Sequence, residues 1–87
     1  MTLSFPNRMR VADPDSGRIA FSGHEGVTEI RFSIPYPVLQ SLNGSRLDTT
    51  ASYLAAFDVM RERIQDVAAR THARARRPFH ILDASQF

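Results

Sequence analysis

The chain has no cysteine, no tryptophan and no lysine among its 87 residues, and only four glycines. Without cysteine there is no disulfide framework, no thiolate zinc site and no cysteine nucleophile. No apolar run approaches membrane-spanning length, and the opening residues lack the apolar centre of a signal peptide. With lysine absent, every basic side chain other than histidine is an arginine. Eleven arginines face nine acidic residues, a formal net charge of +2. Eleven arginines beside ten alanines fit the codon bias of a GC-rich genome. They also fit, as the second reading, selection for guanidinium groups that grip phosphate or carboxylate with two parallel hydrogen bonds. Composition does not separate these readings; position is the better guide.

What is present suffices for a core. An apolar share of 43% and eight aromatic side chains argue against disorder. A chain of this length buries roughly 60–65% of its unfolded surface on folding. It is too short for two independently cored units. The expectation is one small, soluble, cytoplasmic domain spanning residues 1–87.

The first third reads as strand. Met9 and Val11 alternate with polar neighbours, and Asp13-Pro14-Asp15-Ser16-Gly17 has the composition of a turn. Ile19 and Phe21 mark one face of a second strand over residues 18–22, and Gly23-His24-Glu25-Gly26 is expected to close a hairpin. Ile30, Phe32 and Ile34 alternate with Glu29, Arg31 and Ser33, the period of a half-buried strand. Pro35-Tyr36-Pro37 ends this meander and leads into a short helix over residues 38–42, stopped by Asn43-Gly44.

Asp48-Thr49-Thr50 offers N-caps for a long helix running to about residue 76, before Pro78. Its apolar stripe is Tyr53, Phe57, Met60, Ile64, Val67 and Thr71, widened by Leu54 and Ala68. Such a helix is about 42 Å long. A domain of this size is roughly 30 Å across. The helix must therefore break, fray, or pack its overhang on a second subunit. Phe79 and Ile81, flanking His80, suggest a final strand returning to the sheet. The fold class expected is α+β: a three- to four-stranded antiparallel sheet against one short and one long amphipathic helix.

The charge is local. Residues 1–60 carry five arginines against six acids, whereas residues 61–77 carry six arginines against two. On a helical wheel Arg63, Arg70, Arg74 and Arg77 share one flank, and Asp66 is spaced to pair with Arg63 and Arg70. Arg74, Arg76 and Arg77 have no acid three or four residues away. Arg70, Arg74, Arg76 and Arg77 are thus the candidates for anion or nucleic-acid contact. A solvated face complementing the helix C-terminal dipole is the simpler explanation of them. Ala51, Ala55, Ala69 and Ala73 share an arc away from the stripe and are the candidate helix–helix interface.

Catalytic and metal-binding constellations are not visible. Gly23-His24-Glu25-Gly26 matches the G-x-x-G of nucleotide-clamping loops, but those join helices, and here the glycines frame a hairpin. His24, His72 and His80 are scattered without ligand spacing, and they read as surface or boundary residues. No serine sits in a nucleophile elbow, and Asp13 and Asp15 belong to a turn. There is no phosphate loop or dinucleotide fingerprint. The expectation is a protein that is not an enzyme, with no catalytic residue, cofactor or metal.

Leu3-Ser4-Phe5-Pro6-Asn7, then Phe21-Ser22-Gly23-His24-Glu25-Gly26, then Leu54-Ala55-Ala56-Phe57-Asp58 with Arg61-Glu62-Arg63-Ile64 resemble one short bacterial family. It is the domain of unknown function 1488, and the resemblance runs over essentially the whole chain. It implies a cytoplasmic α+β domain with a small antiparallel sheet packed on helices. It brings no activity, so no catalytic or ligand residue carries over. The functional expectation is a non-enzymatic protein-interaction module, self-associating as a homodimer or working in a complex, with no membrane role. The alternative is nucleic-acid or polyanion binding through the arginine-rich half of the long helix.

Overall fold

Alternating side chains build a sheet from the first half of the chain. In the computed structural model, which describes residues 3–87, β1 (Val11–Asp13), β2 (Arg18–Glu25) and β3 (Thr28–Pro35) form an antiparallel meander. Ile19 and Phe21 on β2, with Ile30, Phe32 and Ile34 on β3, point into one core. The β2–β3 turn is tighter than the composition suggested. β2 continues through Gly23, His24 and Glu25, and Glu25 pairs with Thr28, so the loop is Gly26-Val27 alone. Gly26 takes φ +64° at the first central position, which a two-residue hairpin of the II′ kind requires of glycine.

β4 (Phe79–Ile81) joins the sheet beside β3, giving the order β1-β2-β3-β4. Its pairing is parallel, so the sheet is mixed rather than wholly antiparallel. The reason is topological. The chain leaves β3 at one end, crosses the sheet on its helices and re-enters at the opposite end, so the returning strand runs alongside β3 in the same direction.

All three helices pack on the core face. α1 (Tyr36–Asn43) has proline in its first turn and ends at Gly44. α2 (Thr50–Val59) begins with a reciprocal cap, in which the Thr49 side chain accepts from the Ser52 amide and the Ser52 side chain accepts from the Thr49 amide. The long helix expected from residue 50 to residue 76 is not continuous. It breaks at Met60, where φ −98° and ψ +11° depart from helical values, and α3 (Arg61–Arg74) follows as a separate helix. No proline or glycine causes the break. The Met60 amide is shared between the carbonyls of Ala56 and Phe57, a local tightening that lets α2 lie against α1 and α3 reach β4. The broken helix fits a molecule measuring 37 × 23 × 22 Å.

The core stripe holds across the break. Phe57, Ile64, Val67 and Ala68 are buried, and Tyr53, Leu54 and Met60 pack at the edge. The four alanines do not form one face of one helix, because Ala51 and Ala55 lie on α2 whereas Ala69 and Ala73 lie on α3. No described helix is long and apolar enough to cross a membrane.

Candidate functional site

The second half of α3, the strand β4 and a closing 3-10 turn (Ala84–Gln86) meet at one end of the molecule. Between α3 and the turn lies a cleft of about 160 Å³, lined by Val67, Arg70, Thr71, Arg74, Ala75 and Gln86. A wider groove of about 440 Å³ adjoins it, sharing Thr71, Ala75 and Gln86 and adding Arg77 and the three residues of β4. Asp83 caps the turn by accepting from the Ser85 amide. The Arg63 guanidinium sits over the Phe87 ring, 5.9 Å from its centroid, and holds the turn against α3.

The four candidate arginines therefore divide. Arg70 and Arg74 line the cleft and Arg77 the adjoining groove, all three exposed. Arg76 points elsewhere and pairs with Glu25 on β2, Nη1 to Oε2 at 3.1 Å. Among the described residues, Asp66 forms neither of its expected helical ion pairs; the ion pairs present join other residues.

Behind the groove lies a polar cluster that includes two of the histidines expected at the surface or boundary. His72 and His80 are buried, 3% and 6% exposed, which corrects the expectation of surface or boundary positions for these two. His72 Nδ1 lies 2.9 Å from His80 Nε2, so one ring donates to the other, and the His72 Nε2 atom faces Glu25 Oε1 at 3.6 Å. His80 also stacks on Phe32, with ring centroids 5.3 Å apart. The cause is the phase of β4. The Leu82 amide donates to the Ser33 carbonyl and Leu82 is fully buried, so His80, two residues earlier, turns inward as well. Phe79 and Ile81 consequently face outward, 45% and 48% exposed. His24 remains half-buried on β2.

Burial, then the neighbouring His72 and Arg77 charges, hold the His80 pKa below its ordinary 6.5. In the unfolded chain His80 takes up a proton near 6.5, whereas the folded protein resists it. Its contribution is therefore fully present above about pH 6.5 and declines as pH falls towards the depressed native value, by at most about 1.4 kcal/mol per pH unit. Urea midpoints measured from pH 7.5 to 5 should show this fall. His80→Gln, which keeps a hydrogen-bonding partner for His72, should flatten it. An unchanged slope in that variant would show that His80 is not the group responsible.

Comparison with known proteins agrees with this architecture. The family model described as a protein of unknown function, DUF1488, matches residues 3–81. The chain belongs to the DUF1488 family. A crystal structure of a DUF1488 protein from Shewanella loihica PV-4, also described as of unknown function, superposes with a TM-score of 0.81. The match covers 93% of this chain and 91% of that one at 17% identity, a likeness that establishes the fold alone. No curated protein matches the chain. The DUF1488 match takes in the β2–β3 hairpin, the Asp58–Arg61 pair at the helix break and β4, while the closing turn lies beyond it.

Proposed function

We propose that this DUF1488 protein is a non-enzymatic interaction module that pairs with a second copy of itself through the open face of its sheet. The observation that carries this reading is the row Val11–Ala20–Ser33–Ile81, one residue from each strand in register on the side of the sheet away from the core, where Val11, Ala20 and Ile81 are exposed and the small Ser33 is buried between its neighbours. Met9, Val11, Phe79 and Ile81 are all exposed there, and they line or border a shallow apolar depression floored by Ala20. Apolar patches of this kind, rimmed by polar residues, mark contact surfaces. Glu29 and Arg31 sit side by side at the rim, 3.5 Å apart. A two-fold contact lets each copy offer its glutamate to the partner's arginine, which makes the face self-complementary.

Multi-angle light scattering over a micromolar to millimolar range should report a dimer. Val11→Glu and Ile81→Glu should each shift it to monomer while leaving the thermal midpoint within a few degrees of wild type. A strict monomer at the highest concentration would overturn the reading.

A further inference from the structure

β4 is an edge strand whose outer side is open. The Arg31 amide donates to the Pro78 carbonyl and the Leu82 amide to the Ser33 carbonyl, each at 2.9 Å. These bonds and the parallel register turn the backbone groups of residues 78, 80 and 82 towards β3. The amides and carbonyls of Phe79 and Ile81 therefore point the other way, into the groove of about 440 Å³ that runs along this edge. Natural sheets usually blunt such an edge with lysine, a bulge or a covering helix. Here α3 stands back from it, with Thr71 and Ala75 as a low wall and Gln86 opposite. Arg77 stands beside the groove, and Arg70 and Arg74 line the cleft that continues from it. None of the three meets a carboxylate within ion-pair distance among the described residues, unlike Arg76.

From this geometry we infer a second binding site: an extended, acidic segment of a partner protein adds to β4 as a fifth strand. Its backbone pairs with the amides and carbonyls of Phe79 and Ile81, and its carboxylates meet Arg70, Arg74 and Arg77. Strand addition supplies affinity through main-chain hydrogen bonds, and the flanking charges choose the sequence. The groove suits a peptide better than a nucleic acid. It offers paired backbone donors and acceptors at strand spacing, whereas Phe79 is the single phenyl ring among its lining residues, too few to stack successive bases. The site also differs from the self-association surface, since it uses the edge of the sheet rather than its face.

The test is titration of the full chain with a short peptide of alternating glutamate and valine, followed by amide chemical shifts. Three controls accompany it: the lysine–valine counterpart, the acidic peptide with N-methylated backbone, and a single-stranded oligothymidine of equal charge. The acidic peptide should bind and move the Phe79 and Ile81 amides. The lysine peptide should not bind. N-methylation should weaken binding by about tenfold or more, as should the double variant Arg74→Ala/Arg77→Ala, a loss of about 1.4 kcal/mol. The Val11→Glu variant should bind the acidic peptide like wild type, so failure of dimerisation and failure of this site read out separately. Equal binding of the N-methylated peptide or tighter binding of the oligothymidine would replace strand addition by a general polyanion surface. No binding at millimolar peptide would overturn the site altogether.

Discussion

Asp58→Ala should destabilise the fold by about 3 kcal/mol, a large share of the 5–15 kcal/mol that holds a domain together. The carboxylate joins three parts of the chain. It accepts from Arg10 Nε and Nη2, both at 2.9 Å, in a two-pronged contact with the segment before β1. It also accepts from Arg61 Nη2 at 2.8 Å, across the break at Met60. Arg61 is the sensitive partner, because its side chain is only 8% exposed and its guanidinium lies over the Phe57 ring, 5.1 Å from the centroid. Removing Asp58 leaves that charge buried without its counterion, which costs more than the pair itself contributes. The Asp58 side chain is 40% exposed, so water relieves part of the loss and the estimate sits at the low end of the range for buried pairs.

Two further measurements separate this from a general packing defect. Arg61→Met should restore part of the stability lost in Asp58→Ala, since it removes the orphaned charge. A double-mutant cycle should then show coupling above about 1 kcal/mol. The pH dependence has a definite sign. Hydrogen bonding from Arg10, with Arg61 adding to it, holds the Asp58 pKa below its ordinary 3.8. The stabilisation is present above that value and is lost as pH falls through the lower native one. Asp58→Asn should therefore remove this acid limb. A loss below about 0.5 kcal/mol in Asp58→Ala would mean that packing alone sets the helix break.

The break shows why the helix region was only partly legible. Periodicity located the buried face correctly, because Phe57, Ile64, Val67 and Ala68 report their burial through local spacing. The Thr49 cap and the strand alternation of Ile30, Phe32 and Ile34 were equally local signals. The break was not, since Asp58 is held by Arg10, 48 residues earlier, and no helix breaker marks Met60. Length alone signalled that a straight helix overran the domain. The candidate site divides along the same line. The arginine cluster was visible as charge density, but the loss of Arg76 to Glu25 depends on β2 lying beside the end of α3. The histidine pair was hidden because a strand of three residues does not declare its phase. Only the burial of Leu82 and the His72–His80 hydrogen bond decide it.

Gly23 is the clearest case of a residue whose type was legible and whose reason was not, and substituting it should have the second large effect. As a hairpin glycine it would need a positive φ, which among the described glycines belongs to Gly17, Gly26 and Gly44 instead. Gly23 lies inside β2 and is buried, because the segment ahead of β1 crosses directly over it. There Ser4 and His24 exchange backbone hydrogen bonds of 2.8 and 2.7 Å. The Phe5 ring meanwhile packs towards Phe21 and Phe32. A Cβ on residue 23 would stand 2.8 Å from Phe5 Cε1 and 3.0 Å from the Ser4 carbonyl oxygen. The ring edge can pivot, but the carbonyl is fixed by its bond to His24, so the added carbon has no free direction. Gly23→Ala should cost about 2 kcal/mol and Gly23→Val about 3 kcal/mol, the range for overpacking a fitted site. Hydrogen exchange distinguishes the mechanism. In Gly23→Val the Ser4 and His24 amides should lose protection together while Ile30 and Phe32 keep theirs, because the strain is relieved by releasing the crossing segment rather than by opening the sheet. If Gly23→Ala unfolds at the wild-type urea midpoint with Ser4 still protected, the crossing segment yields more readily than its hydrogen bonds imply.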